Sequence, residues 1–536
     1  MKRDFHAPGR SPVYGTNGMA ATSMPIATLT ALDILRAGGN AVDAALAASA
    51  VLAVVEPQST GIGGDCFCLY APARTGKVIA LNGSGKAPMA TTAEILCSEG
   101  LNQIPPNSAH AVTVPGAISA WALLSERCGR FGLDKILQPA IRYAEKGWPV
   151  HARVALDWAT AAGRLNDSTT ARQKYLIDGR PLAAGDNFIQ PALGKTLRQV
   201  AAKGPSAFYE GAIAADMIET LRRLGGLHTE GDFAEGIVSA EFVQPISSKW
   251  RGMEIFECPP NGSGLLALML LGILEGFKTP ADGPLSATRL HRHVEAARLV
   301  YRDRDAFLAD PFHVDVPVEH LTSPRYLAEL RAAISDTCSM PVLPPAGASL
   351  LLPSHKDTVY LCVVDRDGNA CSFINSLFAS FGSCIYAEKS GVLFHNRGSS
   401  FRLEKGHPNC VAPGKRPMHT IIPGMVMKDG HPLMPFGVMG GHFQPMGQSL
   451  FLTNHFEFGL DIQEALDLPR LFPRDGKLEV EHGIPSASLA RLVALGHQCE
   501  QVRNPHGGGQ AIFIDQDRGW FVGGSDPRKD GCALGY

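Results

Sequence analysis

Apolar side chains recur at two different spacings along the 536 residues of the chain, and the change of spacing separates predicted helices from predicted strands. Pro25–Ala37 has apolar residues at helical spacing and ends at a pair of glycines, and Ala41–Val54 is an almost wholly apolar segment. We expect these two helices to form a hairpin buried in the core. Leu265–Phe277 predicts another core helix, and His291–Leu308 predicts a long helix whose charged residues are spaced for ion pairs.

Short runs rich in β-branched and aromatic residues, bounded by turn signals, predict strands. Their positions are Phe67–Tyr70, Val78–Asn82, Gly252–Cys258, Val359–Val364, Val392–Phe394, Thr420–Met427, Leu433–Phe436, Gln510–Ile514 and Trp520–Val522. Residues 150–250 have mostly helical patterns instead. The chain therefore predicts a mixed α/β (α+β) fold whose first part is largely helical.

The strand after Thr358 follows a linker rich in proline and small residues. Residues 366–368 supply a three-residue hairpin loop that ends in glycine. If Asp365 pairs with Asn369, Thr358 faces Ser376 across the hairpin, at a distance that suits contact between hydroxyls. A register shifted by one residue would move Ser376 to the other face of the sheet.

A threonine that opens a strand behind a linker is placed to become a new N-terminus. Cleavage of the Asp357–Thr358 bond would give Thr358 a free α-amine, whose usual pKa of about 7.7–8 lets it accept the hydroxyl proton. Ser376 would then hold the threonine hydroxyl in one orientation. The alternative is an ordinary hairpin in which Thr358 and Ser376 form a cross-strand pair.

The composition of the chain predicts a large hydrophobic core and argues against a nucleic-acid partner. Hydrophobic residues make up 45% of the chain and charged residues 19%, which is enough apolar material for a large core in two domains or one two-part fold. The formal net charge is −2 and no lysine- or arginine-rich run is present, so we expect no nucleic-acid partner.

The sequence predicts neither a membrane-spanning segment nor a metal-binding site. The first residues lack the apolar stretch of a signal peptide, and the apolar runs Ala44–Val55 and Leu265–Leu274 are too short to cross a bilayer. Twelve scattered cysteines indicate reduced thiols and a cytoplasmic location. Because no CxxC occurs and Cys66-x-Cys68 is not a zinc knuckle, we expect no structural metal and no cofactor.

Several motifs together carry a family resemblance. They are Ile34–Ala45, Val55–Pro57, Gly61–Gly64, Thr358, Val364–Asp365, Asp367–Ala370, Phe381–Gly382, Ser390–Gly391, Asn396, Lys415–Pro417, Gly440–Gly441 and Ser525–Gly531. With these residues nearly the whole chain resembles the γ-glutamyltransferase family of N-terminal-nucleophile hydrolases. Without the resemblance, the Gly61–Gly64 turn would suggest a nucleotide loop, but it lacks the preceding strand and the GxGxxG spacing.

The resemblance implies a fold, a maturation step and catalytic residues. The fold would be a four-layer αββα sandwich. Self-cleavage at Asp357–Thr358 would give a large chain, 1–357, and a small chain, 358–536. The two chains would form one intertwined heterodimer. A dimer of two such heterodimers is the alternative assembly. Thr358 would be the nucleophile, and Gly440 and Gly441 would form the oxyanion hole. Taken alone, the two glycines predict only a turn ahead of a helix.

The residues that recognise a γ-glutamyl group in the family are changed here. An arginine that binds the substrate α-carboxylate matches Ser84, and an acidic residue that binds the α-amine matches Ser400. An asparagine beyond the second hydroxyl matches Phe378, and a serine pair matches His419 and Thr420. We therefore expect these positions to line a substrate site of different chemistry.

Arg397 suggests what that chemistry is. Its planar guanidinium suits a carboxylate, and without an acid for an α-amine the acyl group would carry a carboxylate but no ammonium. Arg397 could instead face solvent or pair with Glu388. Phe378 would shrink the acyl pocket, and His419 would either donate to the same carboxylate or be a structural histidine.

The expected activity is hydrolysis of a small carboxylate-bearing amide, with oxamate the leading candidate. A γ-glutamyl hydrolase or transpeptidase and a glutaryl-type acylase are the alternatives within the family. A binding protein or nucleotide-binding module without turnover is the alternative outside it. The short segment Phe401–Lys415 favours an open site with water as acceptor.

Overall fold

The computed structural model describes residues 9–343 and 358–536. The proposed cleavage residue Asp357 and most of the predicted linker lie outside these residues. The described strands are β1 (Val13–Gly15), β2 (Gly18–Thr22), β3 (Asp65–Ala71), β4 (Ile79–Gly83), β5 (Trp148–Pro149), β6 (Asn187–Phe188), β7 (Glu241–Val243), β8 (Ile246–Trp250), β9 (Met253–Glu257), β10 (Val359–Asp365), β11 (Ala370–Ser376), β12 (Tyr386–Ala387), β13 (Val392–Leu393), β14 (Gly424–Lys428), β15 (His431–Met439), β16 (Leu471–Arg474), β17 (Lys477–Val480), β18 (Cys499–Gln501), β19 (Gly508–Asp515), β20 (Trp520–Ser525) and β21 (Cys532–Gly535).

The described helices occupy most of the large-chain region between its strands, as predicted. They are α1 (Pro25–Arg36), α2 (Ala41–Val55), α3 (Ala93–Ser98), α4 (Ala117–Cys128), α5 (Leu133–Ile136), α6 (Gln138–Lys146), α7 (Ala152–Asp167), α8 (Arg172–Tyr175), α9 (Pro191–Lys203), α10 (Ser206–Tyr209), α11 (Gly211–Arg223), α12 (Glu230–Gly236), α13 (Gly264–Glu275), α14 (Ala287–Phe307), α15 (Val318–Leu321), α16 (Pro324–Ala332), α17 (Gln444–Phe456), α18 (Ile462–Asp467) and α19 (Ser486–Ala494).

Two antiparallel sheets, each of seven described strands, form the centre of the fold. The first sheet has the order β21-β2-β10-β11-β3-β4-β7, and the second has the order β1-β20-β19-β15-β14-β9-β8. Helices α1 and α2 pack on the first sheet, and α13, α17 and α18 pack on the second. This arrangement is the predicted four-layer αββα sandwich.

The apolar helix α2 fills the space between the first sheet and outer helices, which explains why every one of its residues is buried. Its start is fixed by a capping box, in which Asn40 accepts hydrogen bonds from the first turn and Asp43 accepts one from Asn40 N–H. The helical hairpin predicted from the sequence is therefore confirmed.

Strand β10 shows how the inner layer is built. Val359 and Leu361 pack with α2 and its neighbours, whereas Tyr360 and Cys362 pack between the two sheets. Because side chains alternate along a strand, Thr358 belongs to the inner face. The Tyr360 ring lies so close to Gly437 of β15 that a Cβ there would be 2.4 Å from it, so the central strands of the two sheets approach closely.

Two predicted elements differ in the structure. The strand expected from Thr420 begins only at Gly424, because Ile421 N–H donates to the His419 ring and Ile422 N–H donates to the Gln444 side chain. Those backbone groups are therefore satisfied by side chains and not by a neighbouring strand. Strand β15 also extends beyond the predicted Leu433–Phe436 and ends at Met439, directly before the glycine pair.

The ion pairs of α14 are only partly those expected. Glu295 and Arg298 form the predicted i,i+3 pair at 2.8 Å. Further along, Arg302 pairs with the adjacent Asp303. Among the described helices none has the length and apolarity needed to cross a bilayer, and the twelve described cysteines are all unpaired.

Candidate active site

Thr358, Ser376 and Asp65 lie side by side at the ends of β10, β11 and β3, three adjacent inner strands of the first sheet. Val359 pairs with Asn375 in the β10–β11 hairpin, which is the predicted register, and the hydroxyl oxygens of Thr358 and Ser376 are 3.0 Å apart. Ser376 pairs in turn with Asp65 on β3. Directly opposed residues share a face of the sheet, so all three side chains point toward the second sheet.

The hydroxyl of Ser376 connects the threonine to the next loop. Its oxygen accepts a 2.9 Å hydrogen bond from Phe378 N–H, which leaves the hydroxyl hydrogen available for Thr358. Phe378 has a φ of +76°, in the left-handed region that a non-glycine residue adopts only when its surroundings hold it there. Both Thr358 and Phe378 are buried.

Arg397 is buried beside these residues, with 1% of its surface exposed. Its guanidinium stacks on the Phe378 ring, 3.8 Å from the ring centre, and Nη1 donates a 2.9 Å hydrogen bond to Thr420 Oγ1. Among the described residues Nη2 has no hydrogen-bond partner. The solvent-facing alternative and the pair with Glu388 are therefore wrong in the described structure.

Burial lowers the pKa of Arg397 to about 9, and the negative charge of Asp65 opposes the shift. The guanidinium still carries its charge at neutral pH. A desolvated cation with an unpaired N–H group binds an anion more strongly than an exposed one does, because little water competes.

Asp65 was not among the predicted site residues. Its Oδ1 accepts a 2.9 Å hydrogen bond from Gly85 N–H, and its Oδ2 lies 3.0 Å from His419 Nε2. Burial alone would raise the pKa of Asp65, but His395, His419 and Arg397 together outweigh it and hold that pKa well below its usual range. The only sequence signal was an acidic residue at the start of an otherwise apolar strand.

His419 has both ring nitrogens occupied. Nε2 contacts Asp65, and Nδ1 accepts a 3.4 Å hydrogen bond from Ile421 N–H. Burial and the nearby Arg397 lower the pKa of His419 to about 3, so the ring is neutral and Asp65 keeps its negative charge. This geometry favours the structural alternative for the histidine over donation to a substrate carboxylate.

The two serines predicted to bind substrate are engaged with other protein groups. Ser84 Oγ donates to Asn82 Oδ1 at 2.7 Å and accepts from Asn261 Nδ2 at 3.1 Å. Ser400 Oγ lies 2.8 Å from the carbonyl oxygen of Arg397 and 2.8 Å from that of Met418. Ser400 thus supports the backbone of the arginine.

The glycine pair follows the central strand of the second sheet. Gly440 and Gly441 have φ values of +124° and +58°, which glycine adopts without the strain a side chain would cause. The next residue, His442, packs edge-on against the Phe378 ring with 6.1 Å between ring centres, and it contacts Arg304 at 3.0 Å. The glycine loop therefore lies beside the Thr358–Ser376–Phe378 series, and its oxyanion role stays a prediction.

Fold and sequence comparisons define the class of protein. A cephalosporin acylase from Bacillus halodurans superposes with a TM-score of 0.92, at 38% identity, over 100% of this chain and 99% of the acylase. Two facing antiparallel sheets between outer helices are the layers typical of N-terminal-nucleophile hydrolases. The protein is an N-terminal-nucleophile hydrolase that acts on amides and matures by cleaving itself into two chains.

The family follows from the whole length of the sequence. The profile described as Gamma-glutamyltranspeptidase matches residues 27–536, and this chain belongs to that family. A glutathione hydrolase-like YwrD proenzyme of Bacillus subtilis is 36% identical over 98% of this chain and 99% of the relative. An oxamate amidohydrolase proenzyme of Klebsiella pneumoniae is 34% identical over 97% of this chain and 99% of the relative.

Proposed function

We propose that this enzyme hydrolyses small amides whose acyl group bears a carboxylate, with oxamate as the preferred substrate and oxalate and ammonia as products. Thr358 is the nucleophile in this proposal, and Arg397 binds the carboxylate. The observation that carries the proposal is the buried Arg397 guanidinium, stacked on Phe378 and with Nη2 unpaired among the described residues.

Maturation would use the same hydroxyl as turnover. Thr358 Oγ attacks the carbonyl carbon of Asp357, and the peptide nitrogen leaves as the α-amine of Thr358 while an ester forms. Water then hydrolyses the ester, which gives the chains 1–357 and 358–536. The 3.0 Å contact with Ser376 would hold the hydroxyl in position for both reactions.

In turnover the α-amine of Thr358 accepts the hydroxyl proton while Oγ attacks the amide carbon. Gly440 and Gly441 would donate N–H groups to the oxyanion. The amine passes its proton to the leaving nitrogen, ammonia departs, and an oxalyl ester remains on Thr358. Water hydrolyses this ester, releases oxalate and restores the hydroxyl.

The described site fits a γ-glutamyl substrate poorly. Such a substrate carries an α-ammonium that needs a carboxylate partner. Asp65, the carboxylate that pairs with Ser376 across the sheet, is buried, and its charge already faces His395, His419 and Arg397. A buried ammonium without a partner is strongly disfavoured. The similarity to a glutathione hydrolase-like protein makes γ-glutamyl hydrolysis the second candidate to test.

The nucleophile is tested by Thr358→Ala. We expect the native protein to give two bands in denaturing electrophoresis and Thr358→Ala to give one uncut band without activity. Thr420→Val is the matched control, because it changes a buried threonine of the same site that the proposed cleavage does not use. A fully active uncut chain, or a second chain that does not begin at Thr358 in mass spectrometry, contradicts this part of the proposal.

The substrate is tested by comparing ammonia release from oxamate with amine release from a γ-glutamyl anilide, using the processed native protein. We expect much faster turnover of oxamate. Preference for the anilide would support the second candidate, and slow turnover of both would direct the search to longer carboxylate-bearing acyl groups. The two-band pattern is independent of this result, so maturation and specificity are tested separately.

A further inference from the structure

A cluster of potential metal ligands is formed by α14 and the turn before β18, and none of its members is among the residues assigned to catalysis. His291 and Glu295 are one helical turn apart, and His497 follows α19 in the second half of the chain. Their ligand atoms all lie within 4.8 Å of one another, and the three side chains are buried. We propose that His291, Glu295 and His497 bind a divalent transition-metal ion of the zinc type.

The surroundings of His291 select the nitrogen that a metal needs. Its Nε2 lies 2.7 Å from the carbonyl oxygen of Ser335, an acceptor, so Nε2 carries the hydrogen and Nδ1 carries the lone pair. Nδ1 points at His497 Nε2, 2.7 Å away. Metal-binding histidines usually have their other ring N–H held by a carbonyl or carboxylate in this way.

Glu295 is also held in place by hydrogen bonds. Its Oε1 accepts a 2.8 Å hydrogen bond from Arg298, and its Oε2 accepts a 2.7 Å hydrogen bond from Met340 N–H. A carboxylate has about four lone-pair sites, so two remain for a metal. Together the cluster offers two imidazole nitrogens and one carboxylate oxygen, a ligand set typical of zinc with an open fourth position.

Without a metal ion, the hydrogen on His497 Nε2 accounts for the 2.7 Å contact between the two histidines. Zinc binding would use the other neutral tautomer of His497, with the hydrogen on Nδ1 and the lone pair on Nε2, and tetrahedral bonds of about 2.0–2.1 Å would place the two nitrogens roughly 3.3 Å apart. Among the described residues His497 lines a cavity of about 610 Å³, and we expect a fourth ligand such as water to reach the ion from that side. The two histidine rings therefore need to move only slightly apart, and His497 lies at the wall of an open cavity.

The bound ion would join three parts of the large and small chains. α14 supplies two ligands, residues 335–340 supply the groups that orient them, and the turn before β18 supplies the third ligand. Ser339 N–H already donates to the carbonyl of Leu495 at 2.6 Å, so these segments are in contact. We therefore expect the ion to raise the melting temperature of the folded protein.

The experiment titrates the chelator-treated full-length protein with Zn²⁺, Co²⁺ and Mg²⁺, and it needs no enzyme activity. We expect one tight equivalent of Zn²⁺, a higher melting temperature, the visible absorption of tetrahedral Co²⁺, and no effect of Mg²⁺, which prefers oxygen ligands. His497→Ala should weaken Zn²⁺ binding by more than the about 100-fold that loss of an outer partner can cause.

His482→Ala is the matched control, because it removes an exposed histidine outside the cluster and should bind zinc as the native protein does. If His497→Ala does not fold, Glu295→Gln replaces a ligand with a side chain of the same shape and should also weaken binding. Native protein that takes up no zinc equivalent, or that binds zinc no more tightly than His497→Ala, overturns the proposal.

Discussion

Replacement of Arg397 by methionine tests the proposed carboxylate recognition most directly. Methionine keeps an unbranched apolar side chain against the Phe378 ring but removes the charge. Thr420 accepts a hydrogen bond from one of the two Nη1 N–H groups, and Nη2 has no partner among the described residues, so we take Nη2 as the donor for a substrate. One hydrogen bond between charged groups contributes about 1.5–3 kcal/mol, which corresponds to a loss of about 10- to 150-fold in kcat/KM for oxamate.

The assay compares ammonia release from oxamate and from oxamide, a neutral amide of the same shape. We expect Arg397→Met to lose the preference for oxamate while its rate with oxamide stays close to that of the native enzyme. Arg402→Met, which removes an arginine charge beside Glu404 and Asp305 and outside the Phe378 stack, should leave the preference unchanged. An oxamate-to-oxamide ratio that is the same in Arg397→Met and in native enzyme, with both proteins processed and folded, would refute the reasoning.

Two further predictions concern the Thr358 hydroxyl and a buried acid. Ser376→Ala removes the hydroxyl that contacts Thr358 and accepts from Phe378 N–H, so kcat should fall by about tenfold in steady-state kinetics. An unchanged kcat would exclude a role for the serine in orienting Thr358. Glu56 accepts a hydrogen bond from Ser23, and burial raises its pKa from 4.5 to about 7. The folded protein then binds more protons than the unfolded chain between these values, so stability should fall by up to about 3 kcal/mol as pH rises through this window. Glu56→Gln should remove that fall in urea unfolding at about pH 5 and about pH 8, and equal pH dependence in both proteins would contradict it.

Local pattern was sufficient for several parts of the fold. The three-residue loop fixes the register of the hairpin, because its length determines which residues face each other, and this placed Thr358 opposite Ser376. The apolar run of α2 and the glycines before it were enough to predict a buried helical hairpin. These features depend on residues close together in the chain.

The electrostatics of the site depend on tertiary structure. Asp65 reaches Ser376 only because β3 pairs with β11, and its contact with His419 joins residues 354 positions apart. The chemistry of Arg397 is set by the Phe378 ring and by burial, neither of which the sequence specifies. The charge state and partners of these groups follow from distances across the sheets, and such distances arise only when strands remote in sequence pack together. The sequence alone determined the hairpin that places Thr358 opposite Ser376, and its family resemblance indicated the nucleophile and the layers of the fold, whereas packing decided which polar groups surround the threonine.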